Sequence, residues 1–417
     1  APENPEIQLA LARLALLDGH PDQALQAIDQ AQQLAPDNTD AHLLKGDLMR
    51  ALGKLDESAQ AYQTALKQNP RYTPARLALA DIAITQNRLD DARKEVDTAL
   101  KNTPNSLQAR YTQAMIDFRE KKIEPARDHL APVLKSAPEF VPALLLGGAI
   151  EYSLNHLQTA ETYLGKVAKA MPDNLYAIRL LAATQLRLGR PDDAAGTLAP
   201  ALKSSPDAGI LVVAGEIAQA RRNFAEAAAY FEQAAQRSPD SAAIRTELGI
   251  ARLAQGDNRA IAELQAASGM AGSGSRPDTF LIVGQLERKQ FDAALASIAA
   301  LEKKLGASAV IWNYRGAAYL GKNDAAKARD SFVQSLKLDP AFFAAAANLA
   351  QLDLQSNQPG VARQRFESVL KADPKNLNAM LALADMGLRN KDESAYVSWL
   401  EKAAATHPEA LQPRVAL

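Results

Sequence analysis

The side chains best able to do chemistry are thinly spread along this chain. Its five histidines, His20, His42, His129, His156 and His407, are scattered, and none has a metal-binding partner four residues on. Cysteine is absent, so neither a disulfide nor a thiolate metal site is available. No phosphate-cradling Walker loop, no GxGxxG after a strand, no GxSxG and no HExxH occurs. Aspartate and glutamate are plentiful, but their spacing places them on exposed helix faces and at caps, not as working carboxylate pairs. The chain therefore reads as a non-enzyme with no cofactor and no metal. With 47 Lys+Arg against 48 Asp+Glu, its formal net charge is -1, and no long run of one sign occurs. A nucleic-acid surface needs a basic excess or stripe, so no nucleic-acid partner is expected.

What the chain does carry is a rhythm. Proline recurs every 34 residues at Pro2, Pro36, Pro70, Pro104, Pro138, Pro172 and Pro206, and again at Pro340, Pro374 and Pro408. Between two such prolines lie two amphipathic helices. In the unit Thr39 to Tyr72 the first, "DAHLLKGDLMRAL", stops at Gly53, which tolerates positive φ. The second, "DESAQAYQTALKQ", opens on Asp56 as an expected N-cap and closes at Pro70, which has no N–H to donate. The eighth place of all units but one is small (Gly46, Ala80, Ala114, Gly148, Gly316), and so is the twentieth (Ser58, Ala92, Ala126, Ala160, Ala328). The twenty-fourth is a larger filler: Tyr62, Val96, Leu130, Leu164, Phe332. Such a ladder predicts an all-α chain of about twelve helix-turn-helix repeats. No apolar run approaches the ~18 residues of a membrane span.

The rhythm slips twice. Pro206 to Pro239 is 33 residues, and Pro239 to Pro277 is 38, with the Gly/Ser-rich "SGMAGSGS" (Ser268 to Ser275) between them. The following unit has a shortened first helix and no small residue at its eighth place. The stretch reads either as a tolerated loop insertion or as a hinge. The organisation is then repeats one to eight over 1–267, a break over 268–276, and repeats nine to twelve with the start of a thirteenth over 277–417. Pro132 and Pro200 fall at one register inside second helices, where proline is expected to bend the outer wall.

The unit carrying Trp312, Gly316, Tyr319, Ala328, Phe332 and Pro340 resembles the tetratricopeptide (TPR) repeat. That resemblance implies a right-handed TPR superhelical solenoid whose first helices line the concave side. It also implies groove positions at about the second, fifth, ninth, twelfth and thirteenth places. In units four to six these hold Tyr111, Met115, Phe118, Arg119, Tyr152, Tyr176, Arg179 and Arg187. Aromatics are only 5% of the chain, so the concentration is uneven. Aromatic and arginine side chains suit a protein hot spot, and also stacking on sugar rings. Equally, the twelfth place packs on the next unit, as Leu186, Leu320, Leu354 and Leu388 would. On stacked first helices Phe118 and Tyr152 are expected side by side, flanked by Arg119 and Arg187. A two-carboxylate clamp needs lysines and asparagines at set groove positions; Asn348 stands nearly alone, so none is expected.

The segment "FDAALASIAALEKK", and above all "LDPAFFAAAANLAQLDL", is similar to the TPR lipoprotein of bacterial exosortase (PEP-CTERM) systems. This likeness implies a scaffold in exopolysaccharide biosynthesis and export, exported to the periplasm. Its partners would be proteins of that assembly or the polysaccharide itself. Contact with the membrane would be only through an anchor absent from this chain. The sequence lacks the lipid-accepting cysteine and a signal peptide, and is read as an internal fragment. Two other readings stay open: the periplasmic TPR portion of an outer-membrane polysaccharide porin, and the substrate-binding arm of a TPR glycosyltransferase.

Overall fold

The structure, a computed structural model, describes residues 4–204 and 206–416; Pro2 lies outside the described residues. A hairpin is built from local devices that residues 38–70 show well. Asn38 caps the helix Thr39–Ala51 by accepting the Ala41 amide at 3.0 Å. At the far end Gly53 takes φ +76°, and the Lys54 amide donates to the Met49 carbonyl at 2.9 Å, a left-handed helix closure. The next helix, Leu55–Gln68, begins at once, with Lys54 as its N-cap. Asp56 is therefore not the cap. The closing bond shortens the turn, so Asp56 falls in the first helical turn, where its charge still favours the positive helix end. Pro70 follows the C-cap Asn69.

Among the described residues all regular structure is helical, and the chain divides into two units, Ala1–Pro206 and Asp207–Leu417. The first holds α1 (Pro5–Leu17), α2 (Pro21–Leu34), α3 (Thr39–Ala51), α4 (Leu55–Gln68), α5 (Thr73–Thr85), α6 (Leu89–Asn102), α7 (Leu107–Arg119), α8 (Ile123–Ser136), α9 (Val141–Ser153), α10 (Leu157–Ala170), α11 (Leu175–Arg187) and α12 (Pro191–Ser204). The second holds α13 (Ala208–Ala220), α14 (Phe224–Arg237), α15 (Ala242–Ala254), α16 (Ala260–Ser268), α17 (Arg276–Glu287), α18 (Phe291–Leu305), α19 (Ala309–Gly321), α20 (Ala325–Leu338), α21 (Phe343–Gln355), α22 (Pro359–Ala372), α23 (Leu377–Arg389), α24 (Glu393–Thr406) and α25 (Leu411–Ala416). In each unit the two helices of a hairpin pack together, and the second helix of a hairpin packs on the first helix of the next. First helices of neighbours also lie together, α5 on α7, α7 on α9, and α9 on α11, whereas no second helices pack to that degree. First helices thus form an inner wall. α8 and α12 run uninterrupted through Pro132 and Pro200.

The core confirms the ladder and refines it. A Cβ added at Gly46 would lie 2.3 Å from the Tyr62 ring, one at Gly215 2.6 Å from Phe231, and one at Gly316 2.4 Å from Phe332. In these three hairpins glycine at the eighth place makes room for the aromatic filler, and in two others Gly148 and Gly249 sit as closely over Leu164 and Leu264, each added Cβ falling 2.6 Å from the leucine.

The acidic residues correct a sequence expectation, because some are buried. Asp117 and Asp353 hold the eleventh place of hairpins four and eleven and are 2% and 0% exposed. Asp117 accepts from Arg93 at 2.6 Å and pairs with His129 Nδ1 at 2.7 Å. Asp353 accepts from Arg329 at 2.5 Å and from Arg365 at 3.0 Å. In both, one partner comes from the preceding hairpin and one from the same hairpin, so the carboxylate latches neighbours together.

The second slip in the rhythm sits between α16 and α17. α16 has nine residues where most second helices have fourteen. Pro277 lies inside the first turn of α17, not between hairpins as the proline spacing predicted. Lys304 of α18 donates to Ser273 Oγ at 3.3 Å, to the Gly274 carbonyl and to Asp278 at 2.9 Å, tying the Gly/Ser stretch down.

Candidate binding groove

Along the inner wall of the first unit, side chains at the second, fifth, ninth and twelfth places leave two adjoining hollows. One, of 480 Å³, is walled by α7, α9 and the start of α11. Tyr111, Met115, Phe118 and Arg119 come from α7, Leu145 and Leu146 from α9, and Tyr176 from α11. The other, of 640 Å³, lies between α3, α5 and α7 and is more polar, with Asp47, Arg50 and Asp81 in its wall. Tyr111 and Met115 line both and form the ridge between them. Tyr111 meets Phe140 edge to face, ring centroids 5.8 Å apart. Burial, with the Asp81 charge beside it, pushes the Tyr111 hydroxyl up. Asp47 accepts from Tyr62 at 2.7 Å; burial first, then this bond, pushes the Tyr62 hydroxyl up to about 12.

Of the eight residues singled out in the sequence, five meet at the smaller hollow: Tyr111, Met115, Phe118, Arg119 and Tyr176. Tyr152 lines neither; it lies under Arg187, whose guanidinium stands 4.5 Å from its ring centroid. Arg179 lies over Tyr176 at 5.4 Å. Arg119 donates to the Ile84 carbonyl at 2.8 Å and Arg187 to the Tyr152 carbonyl at 3.2 Å. Both arginines hold the thirteenth place, and both reach back to the twelfth carbonyl of the preceding first helix. Both act as helix caps, and Arg119 also lines the smaller hollow. Sequence reasoning missed Asp47, Arg50 and Asp81, although the ninth and twelfth places of units two and three would have found them. Phe140 and Met171 were beyond it, because they lie just before α9 and α11, between hairpins.

The histidines take structural posts. His129 and His156 pair with Asp117 and Glu151, each at 2.7 Å, and His42 bonds the Pro36 carbonyl at 2.9 Å. Among the described residues no three side chains gather as a metal site, and no helix is long and apolar enough to cross a membrane.

Two family models, both described as tetratricopeptide repeat, match this chain. One covers residues 49–116 and 151–214, the other 9–73, 212–269 and 347–410. Together they take in well over half of it. The chain belongs to the tetratricopeptide-repeat family. The two long stretches outside the matches, 117–150 and 270–346, form helical hairpins of the same kind. Solved structures similar in fold include the human IFIT1 dimer with PPP-AAAA (TM-score 0.46, 16% identity, 88% of this chain and 90% of that one). Pseudomonas aeruginosa pilF is similar at TM-score 0.44 and 16% identity, over 48% of this chain and 90% of that one. A tetratricopeptide repeat protein from Parabacteroides merdae follows at 0.43 and 19%, over 59% and 98%. A search of curated proteins found no match.

Proposed function

We propose that this TPR chain is a non-catalytic scaffold that holds a protein partner in the hollow between α7, α9 and α11. One observation carries the reading: that hollow is lined mainly by apolar and aromatic side chains on rigid helices, and Met171 and Tyr176 stand 47% and 44% exposed at its rim. Exposed aromatic anchors around a concave apolar floor are what a protein hot spot needs. The finer reading places the scaffold in the periplasm, membrane-anchored, within a bacterial exopolysaccharide synthesis and export assembly. Its support is the sequence likeness of the last third to the exosortase-associated TPR lipoprotein.

A photo-crosslinking residue at Tyr176, introduced into the intact protein in its native cell, tests both levels. Crosslinks to defined export or synthesis proteins, abolished by Phe118→Ala with Leu145→Ala, support the reading. Crosslinks to polymer alone would replace the protein partner with the polysaccharide. Defined protein partners of another process would retain the scaffold and remove its proposed assembly.

A further inference from the structure

We infer, resting on that groove reading, that the segment held between α7, α9 and α11 is acidic and apolar: a bulky apolar side chain with carboxylates beside it. Charge on the wall carries the argument. The acidic residues of these three helices are Asp117 and Glu151, both buried and both held by histidine, Asp117 also by Arg93. Their basic residues are Arg110, Arg119, Arg179 and Arg187, and no carboxylate pairs with any of them among the described residues. This stands out in a chain whose charges cancel and whose other arginines are largely ion-paired.

These guanidinium groups keep donors free. Arg119 gives one nitrogen to a carbonyl, and Arg187 gives two, to a carbonyl and to Asn155. Among the described residues Arg179 makes only its contact with the exposed ring of Tyr176. A guanidinium has five N–H donors in a fork that fits a carboxylate. Arg119 lies at the rim of the apolar floor, and Arg179 stacks on Tyr176, which closes its α11 side. The neighbouring hollow has the opposite character. Asp81 is already neutralised by Arg50 at 2.5 Å, while Asp47 is in no ion pair among the described residues and accepts from Tyr62. A bound segment would therefore run with its carboxylates towards α11 and any basic or neutral end towards α3.

Fluorescence anisotropy on the whole chain tests this with three labelled peptides of one apolar pattern, Leu and Phe alternating with Glu, Gln or Lys. The Glu peptide is expected to bind best, and to weaken as salt rises. Arg179→Glu should weaken the Glu peptide about tenfold at low salt and strengthen the Lys peptide. Its circular dichroism should not change, since Arg179 supports only an exposed ring. Equal binding of all three peptides, untouched by Arg179→Glu, would overturn the charge assignment and leave the groove reading standing. Preference for the Lys peptide would also overturn it. If no peptide binds, and the Tyr176 crosslinker captures no protein, both readings fall.

Discussion

At the scale of single residues, the space above each filler is set by one Cβ. Tyr62, Phe231 and Phe332 are each fully buried beneath a glycine. Phe366 sits instead opposite Ala350, is 7% exposed, and stacks on Phe343. Smaller fillers coexist with alanine, as Leu130 does with Ala114 and Leu198 with Ala182. Gly316→Ala should therefore destabilise by about 1–3 kcal/mol through overpacking. Adding Phe332→Leu should recover most of that loss, because the two changes recreate the pairing of hairpins four and six. Urea unfolding of the two single variants and the double measures the coupling; simple additivity would show that the pair does not set the spacing. A second residue to watch is Glu216, half-buried on α13 with no hydrogen-bond partner among the described residues. Burial, then the Glu247 charge, hold its carboxyl above the usual range, with Arg276 opposing. The folded chain thus holds this proton more tightly than the unfolded one. Its stabilising contribution is present below the ordinary carboxylate value and lost as pH rises through the raised one. Glu216→Gln is expected to raise the melting temperature at neutral pH and to give no gain in acid.

At the scale of elements, turns and latches decide what the helices do. Each of the twelve hairpins turns through one left-handed residue, yet only Gly19, Gly53, Gly189 and Gly256 are glycine there. Asn87, Lys121, Arg222 and the others carry side chains in a region that costs an L-residue about 1–2 kcal/mol. The turn is thus imposed by the packing of its two helices, not by the residue. The Gly/Ser stretch before α17 poses the opposite case, a flexible composition held by outside bonds. Lys304 supplies two of them, to Ser273 and Gly274, and a third bond to Asp278 of α17, so the stretch should resist limited proteolysis about as well as the ordinary inter-hairpin turns. Lys304→Ala should make 268–275 the first site cut. First cleavage there in the unaltered protein would support the hinge reading.

At the scale of the molecule, stability is a chain of neighbour contacts. Within each unit, each hairpin meets the hairpins beside it, and the latches at Asp117 and Asp353 each join adjacent hairpins of one unit. Such a chain can lose part of its structure while the rest stays folded. Phe332→Ala removes a fully buried ring and should cost about 3–5 kcal/mol. Native-state hydrogen exchange should then show lost protection in the second unit and unchanged protection in the first. Uniform loss along the chain would mean that the units unfold together.

The linear pattern alone determined the period, the helix pairs, the small-small-large ladder and the register of the inner wall. All of these follow from spacing within one repeat, because a helix fixes which residues share a face. Tyr111, Met115, Phe118, Arg119 and Tyr176 were legible in this way. Tertiary structure decided everything that depends on how one hairpin sits on the next. Asp117 and Asp353 look like any surface carboxylate until Arg93 and Arg329 arrive from the hairpin before. Phe118 and Tyr152 share a register, yet only Phe118 opens into the hollow, because Arg187 covers Tyr152. The unpaired positive charge on α7 and α11 could not be seen either. Knowing that an arginine lacks a carboxylate requires knowing every side chain within reach, and those lie a whole repeat away.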